Sequence, residues 1–242
     1  MSAVLRVDSV GVSFGRRRVL AGAYFQARAG AVTALVGRNG AGKSTLLKIA
    51  AGWLRPDHGL VEFRGRRSPA PRPARLARDG LFILPVDGSV LSPAFTLAQH
   101  LDALERRFGA GDRAAVLERL GIVHVAGVAS RRLSGGERRL AELALAVLRR
   151  PVCLLADEPF RGIVPHHAER VLATLREMAR GGCAVVVTGH EMGWVLEAAD
   201  EVTWVRDGST QPLGTRDEAL AHWRFRREYL GAAGLRDRPG RA

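Results

Sequence analysis

The chain has 242 residues, 47% of them hydrophobic, and a formal net charge of +13. That length can bury a core as one large domain, and no apolar run approaches the ~20 residues needed to span a bilayer. The charge is almost all arginine, spread along the chain rather than gathered beside a reading element, which argues against a DNA-binding module, so no nucleic-acid partner is expected.

Residues 4–8 and 19–28 read as early strands, and 32–37, "VTALVG", as a buried strand entering a glycine-rich turn. A helix is predicted from about 42 to 51 and a short strand over 60–63. The run "RRSPAPRPARLARDG" reads as a surface connection, and 81–85 as a strand. From 92 to 150 the pattern turns helical, with Leu97, Leu101, Leu104 and Phe108 at helical spacing. Strands return at 152–156 and 184–188, with a helix near 166–180 between them. The order predicts an α/β core interrupted by a helical insertion. Cys153 and Cys183 lie in apolar, strand-like runs and read as small core residues rather than a disulfide or metal site. The N-terminal alternation, with Asp8 inside it, does not match a secretion signal, so a cytosolic protein is expected.

"GRNGAGKST", Gly37, Arg38, Asn39, Gly40, Ala41, Gly42, Lys43, Ser44 and Thr45, matches G-x-x-x-x-G-K-[ST] with a β-run before it and a helical pattern after it. Gly37, Gly40 and Gly42 would let the backbone wrap a phosphate chain, whose oxygens meet a row of N–H groups and a helix N-terminus. Lys43 would reach the β/γ-phosphates and Ser44 would offer its hydroxyl to Mg²⁺. Lysine occurs only at 43 and 48, so the chain uses one of its two lysines here. The N-K-x-D guanine-reading motif is absent, because neither lysine has an aspartate two residues on.

"PVCLLADEPF" ends an apolar strand in two adjacent carboxylates, Asp157 and Glu158. An acid beside a phosphate loop can hold Mg²⁺ through water, while its neighbour, pointing differently, can orient and deprotonate an attacking water. "LSGGERRLAELALAVLRRP" opens with a Ser134–Glu137 capping box, a sufficient reason for a helix start. A capping box does not require Gly135 and Gly136, which are poor helix formers. They make sense if another group, such as a phosphate, must approach this backbone.

With L-S-G-G-E lying before Asp157, the chain resembles the ABC ATP-binding cassette along essentially its whole length. The resemblance implies a P-loop NTPase fold: an α/β core with a mostly parallel sheet, an N-terminal antiparallel β-subdomain and an inserted α-helical subdomain. It implies one domain over 1–242, with 1–91 and 151–242 as core and 92–150 as the helical part. Phe14 falls where the family stacks an aromatic on adenine, and His190 in "TGHEM" where its switch histidine meets the γ-phosphate. Two cassettes would sandwich ATP head to tail, so that Ser134, Gly135 and Gly136 act on a partner's nucleotide. The implied protein is an ATP-hydrolysing subunit, held on the inner face of the cell membrane by integral membrane transporter subunits that choose the substrate. "DEPF" and "FRREYLG" resemble the compact ATPases of branched-chain amino-acid importers and lipopolysaccharide exporters. A chain of this length would lack the regulatory domain of some sugar and ion importers. A soluble cassette of the iron–sulfur assembly type, and a slow ATP-gated dimerisation switch, stay open beside this reading.

Two positions depart from the family pattern. Val86 stands where a glutamine usually touches Mg²⁺ and the attacking water, and Val164 where an aspartate usually bridges the two subunits. Valine neither donates nor accepts a hydrogen bond, so the cross-subunit contact is expected to be missing, and the metal contact too unless Asp87 swings in to replace it.

Overall fold

The computed structural model of the chain describes residues 3–109 and 111–231. Two sheets are built from ten strands. β1 (Ala3–Phe14), β2 (Arg17–Arg28), β4 (His58–Phe63) and β5 (Arg66–Ser68) form an antiparallel sheet in the order β2-β1-β4-β5. β3 (Val32–Val36), β6 (Leu81–Leu84), β7 (Cys153–Ala156), β8 (Ala184–Gly189), β9 (Glu201–Arg206) and β10 (Ser209–Gly214) form the second sheet, in the order β10-β9-β3-β8-β7-β6. It is parallel except at β10, which turns back on β9.

The central strands β3, β7 and β8 are buried along their whole length because both of their faces are covered. On β3, β7 and β8 the side chains alternate between two packed layers. Ala34, Leu154 and Val185 meet the helical layer, whereas Leu35, Leu155 and Val186 meet α1 (Lys43–Ala50) and the antiparallel sheet. α1 is wedged between the two sheets by Leu46 and Leu47, both fully buried, each such burial stabilising by about 1.5–3 kcal/mol.

The helical stretch resolves into α3 (Leu97–Phe108), α4 (Arg113–Leu120) and α5 (Gly135–Arg149); α3 and α4 pack on α5, and α4 and α5 pack on α6 (Pro165–Arg180). Capping boxes start α3 at Thr96–Gln99 and α5 at Ser134–Glu137. α7 (Met192–Ala198), α8 (Arg216–Ala221) and a short helical turn, Trp223–Phe225, running into a π turn, Arg226–Leu230, close the fold. Among the described residues no helix is long and apolar enough to cross a membrane.

The fold class matches expectation, with local corrections. The arginine- and proline-rich run is not bare surface: it holds β5 and α2 (Pro73–Arg78), which starts on a proline and buries Leu76. Elements of three and six residues are too short for periodicity to register. Phe108 keeps the helical spacing but is 47% exposed, its ring covered by the Arg149 guanidinium at 3.8 Å instead of by the core. Cys153 and Cys183 are free and buried, and burial pushes the Cys183 thiol up to about 12, as inert core residues require.

Candidate functional site

Sheet order creates the site. β3 lies between β8 and β9, and β8 beside β7, so the C-terminal ends of β3, β7 and β8 deliver three loops to one edge, where open α/β sheets bind ligands.

The loop after β3 has Gly40 at φ +78° and Gly42 at φ +102°, left-handed conformations that side chains rarely adopt. Gly37 also meets a constraint from inside the fold. A Cβ there would sit 2.2 Å from the Val205 carbonyl oxygen, so β9 by itself requires glycine at this position. Lys43 is buried, and its Nζ donates to the carbonyls of Gly37 (2.7 Å) and Arg38 (3.2 Å). Burial lowers its pKa, with Glu158 and Asp157 pulling the other way.

Across the loop, Ser44 Oγ donates to Asp157 Oδ1 at 3.1 Å, and Thr188 Oγ1 donates to the same oxygen at 2.5 Å. Burial raises the Asp157 carboxyl above its ordinary range, and these two hydroxyls partly offset it. The Glu158 amide donates to Thr188 Oγ1 at 3.0 Å, while Glu158 itself stands at φ +47°. That left-handed turn sends the second carboxylate away from the first. Glu158 Oε1 lies 3.6 Å from His190 Nδ1 and Oε2 lies 3.5 Å from an Arg161 nitrogen. The adjacent carboxylates thus face two separate sets of partners. His190 Nε2 also reaches Glu191 at 3.3 Å.

A cavity of about 260 Å³ is lined by Arg17, Val19, Asn39, Gly40, Gly42, Lys43, Ser44, Thr45 and Glu158. Phe14 is not among its walls; it stands 53% exposed at the β1–β2 turn, paired in register with Arg17. Ser134, Gly135 and Gly136 are also outside this cavity, at the N-terminus of α5. There Glu137 Oε2 accepts from the Ser134 amide (2.8 Å) and hydroxyl (2.7 Å). Of the two glycines, Gly135 faces open space, while a Cβ on Gly136 would meet the His167 ring.

Two participants were not expected from the sequence. Thr188 links the Asp157 carboxylate to the Glu158 backbone amide, and Tyr229 Oη donates to the Gly37 carbonyl at 3.0 Å, sharing that acceptor with Lys43. A polar residue at the end of the apolar run "AVVVTG" was the available signal for Thr188.

The departures also have a structural setting. Val86 is half-buried, and the Pro85 carbonyl before it accepts from the Arg139 guanidinium at 3.3 Å. Arg139 pairs with buried Glu142 at 3.0 Å, and Glu142 accepts from Ser89 Oγ at 2.5 Å, so α5 straps the loop after β6 from both ends. Val164 is the N-cap of α6, 49% exposed, with no side-chain hydrogen bond to the helix. Val164→Asp should therefore add a cap worth about 0.5–2 kcal/mol. In a chain of this size the melting temperature should rise by roughly 2–4 °C per kcal/mol, a change that thermal unfolding without nucleotide would register.

Comparison with known proteins places the chain in a family and a fold. Residues 20–161 match the sequence model of the family described as ABC transporter. A probable ABC transporter ATP-binding protein of Azorhizobium caulinodans is 34% identical over 225 residues, covering 90% of this chain and 80% of that one. The lipopolysaccharide export system ATP-binding protein LptB of Acidithiobacillus ferridurans is 31% identical over 239 residues, covering 96% and 98% respectively. In fold, a nucleotide-free ATP-binding cassette from an ABC transporter superposes with a TM-score of 0.82 at 24% identity, over 95% of this chain and all of that one. With a phosphate loop, two divergent carboxylates and a capped glycine pair on this scaffold, the chain belongs to the ABC transporter family, as an ATP-binding cassette with the ATPase activity that drives transport.

Proposed function

We propose that the chain binds MgATP against its own phosphate loop, completes the site with Ser134, Gly135 and Gly136 of a second cassette chain, and hydrolyses the γ-phosphate to power membrane-spanning partner subunits at the inner face of the cell membrane. In this reading Lys43 and the N–H groups of Gly37 to Thr45 hold the phosphates, with Arg38, Asn39 and Ala41 supplying backbone. Phe14 covers the base from the rim. Glu158 takes the proton of the attacking water, and His190, beside it, contacts the γ-phosphate.

Ser44 Oγ and Asp157 Oδ1, 3.1 Å apart, are hard oxygen donors of the kind that suit Mg²⁺. Bound there, the ion would neutralise phosphate charge. Burial already raises the Asp157 carboxyl, and a cation would favour its ionised form.

The single observation that carries the reading is the split between the two acids. Asp157 is tied to Ser44, while Glu158 is turned by its positive φ toward His190. Its test is Asp157→Asn, for which the Mg²⁺ concentration giving half-maximal turnover should rise at least tenfold. An unchanged Mg²⁺ requirement would remove Asp157 from the metal role. Co-purification with integral membrane proteins tests the transport role. Recovery of the chain as a fully active ATPase with no such partner would favour a soluble cassette.

Val86 and Val164 favour a second, narrower reading of the same machinery: either a homodimer with slow, loosely coupled turnover, or a heterodimer whose partner brings an intact bridging aspartate. A restored hydrogen bond is worth about 1 kcal/mol, more when it meets a charge. Val86→Gln should thus raise turnover or Mg²⁺ affinity several-fold. If Val86→Gln and Val164→Asp, singly and together, leave both unchanged, the two valines are not the weak points of the cycle.

A further inference from the structure

Gly136 is buried, and its missing side chain is replaced by a ring from the same chain. A Cβ on Gly136 would lie 2.2 Å from His167 Nδ1 and 2.9 Å from its Cε1. The imidazole therefore fills the side-chain space of the second glycine in the Ser134–Gly135–Gly136 turn. His167 Nδ1 is itself buried and has no hydrogen-bond partner among the described residues.

The charged groups that act most on this ring come from three elements. On its own helix are His166, whose ring centroid is 4.1 Å away, and Arg170. From α5 comes Glu137, and from the short 3₁₀ turn Val123–Val125 comes His124. Glu137 is the only acid of the group, and it is already engaged: Oε2 holds Ser134, and Oε1 lies 3.3 Å from His124 Nε2. His167 also sits in the first turn of α6 and against the first turn of α5, so the positive ends of two helices of 16 and 15 residues bear on it.

A neutral imidazole fits this place, and an imidazolium does not. Protonation at Nδ1 would bury an unpaired N–H and add a cation where two helix ends, His166 and Arg170 already repel one. We infer that His167 is a positioning residue for the Ser134–Gly136 turn, fixing it only while the imidazole is neutral, so that acidification releases the surface offered to the partner's ATP. The inference rests on the proposed head-to-tail arrangement for its functional consequence, though not for the packing itself.

The sign follows from linkage. Burial holds the folded-state pKa of His167 below its ordinary value, with His166 and Arg170 acting the same way and Glu137 partly against them. The unfolded chain takes up its proton near the ordinary histidine value of about 6.5. Stability from this group is therefore complete above that pH and is lost as pH falls from it toward the folded-state value.

The test compares wild type, His167→Gln, His167→Ala, His124→Gln and Gly136→Ala, alone and in the His167→Ala background. Thermal unfolding without nucleotide and MgATP turnover are followed from about pH 8 to about pH 5.5, the range in which histidine titrates. In wild type and His124→Gln, melting temperature and turnover should both fall on acidification, turnover several-fold. His167→Gln, polar and unable to titrate, should flatten both steps while keeping turnover at the alkaline end within about twofold. His167→Ala should lower kcat several-fold while the separated monomer keeps its affinity for a fluorescent ATP analogue. Gly136→Ala should lower the melting temperature sharply with His167 present and far less with His167→Ala. Equal destabilisation in both backgrounds, or a full acid step surviving in His167→Gln, overturns the inference. If wild type shows no turnover at any pH, the proposed function fails while the nucleotide-free melts still judge His167.

Discussion

Lys43→Ala lowers MgATP affinity by on the order of 100-fold. Hydrogen bonds to charged groups are worth about 1.5–3 kcal/mol, and this side chain is the one lysine of the cavity wall. The same substitution removes its bonds to the Gly37 and Arg38 carbonyls, so a lower melting temperature is expected as well. The two effects separate cleanly. If Tyr229 still occupies the Gly37 carbonyl, the loop keeps one of its two donors and the chain stays folded while binding is lost. Isothermal titration with MgATP, paired with a melt of the same preparation, checks both. Wild-type affinity in a folded Lys43→Ala chain would dismiss the phosphate-loop assignment.

Glu158→Gln has the second large effect and acts on a different step. The replacement keeps the size of the side chain at this left-handed position, φ +47°, and removes the negative charge and with it the ability to take a proton. General-base catalysis contributes roughly 10²–10⁴-fold, so turnover should fall by about that factor while MgATP binding persists. Bound but unhydrolysed ATP should then hold two chains together, and gel filtration with MgATP should give a dimer. If wild type dimerises under those conditions and Glu158→Gln stays monomeric, the head-to-tail arrangement is wrong.

Much of this site was legible because its chemistry is local in sequence. The glycine loop carries one of only two lysines, and the two acids follow an apolar strand directly. The Ser134–Glu137 capping box is a contact across three residues, and it formed as the spacing required. What escaped the sequence is what sheet order brings together. Thr188 reaches Asp157 across 31 positions and Tyr229 reaches Gly37 across 192, and neither separation leaves a periodic trace.

The glycines make the same point more sharply. Gly37 and Gly136 both look like phosphate-facing positions in the sequence, yet their nearest obstacles are the Val205 carbonyl and the His167 ring. A glycine announces that something comes close without saying what. The short elements β5 and α2 failed for another reason, since three and six residues cannot display a period.

The placement of β3 between β8 and β9 has a consequence for how the protein comes into being. During synthesis the phosphate loop emerges early, but its strand has no sheet neighbour until residues 184–189 and 201–206 have left the ribosome. A nascent chain that has reached residue 161 already contains the loop, both carboxylates and the whole family-matched segment. It still lacks Thr188, Tyr229 and both flanking strands of β3, so it holds the letters of the site without its shape. Long-range parallel pairing of this kind is slow to form. Nucleotide can therefore stabilise only the finished chain, by binding what is already folded, and cannot guide the unfinished one. Ribosome-bound fragments ending before β8 should be held soluble by chaperones and indifferent to ATP, and the chain should gain both its fold and its ligand only once β8, β9 and Tyr229 have emerged.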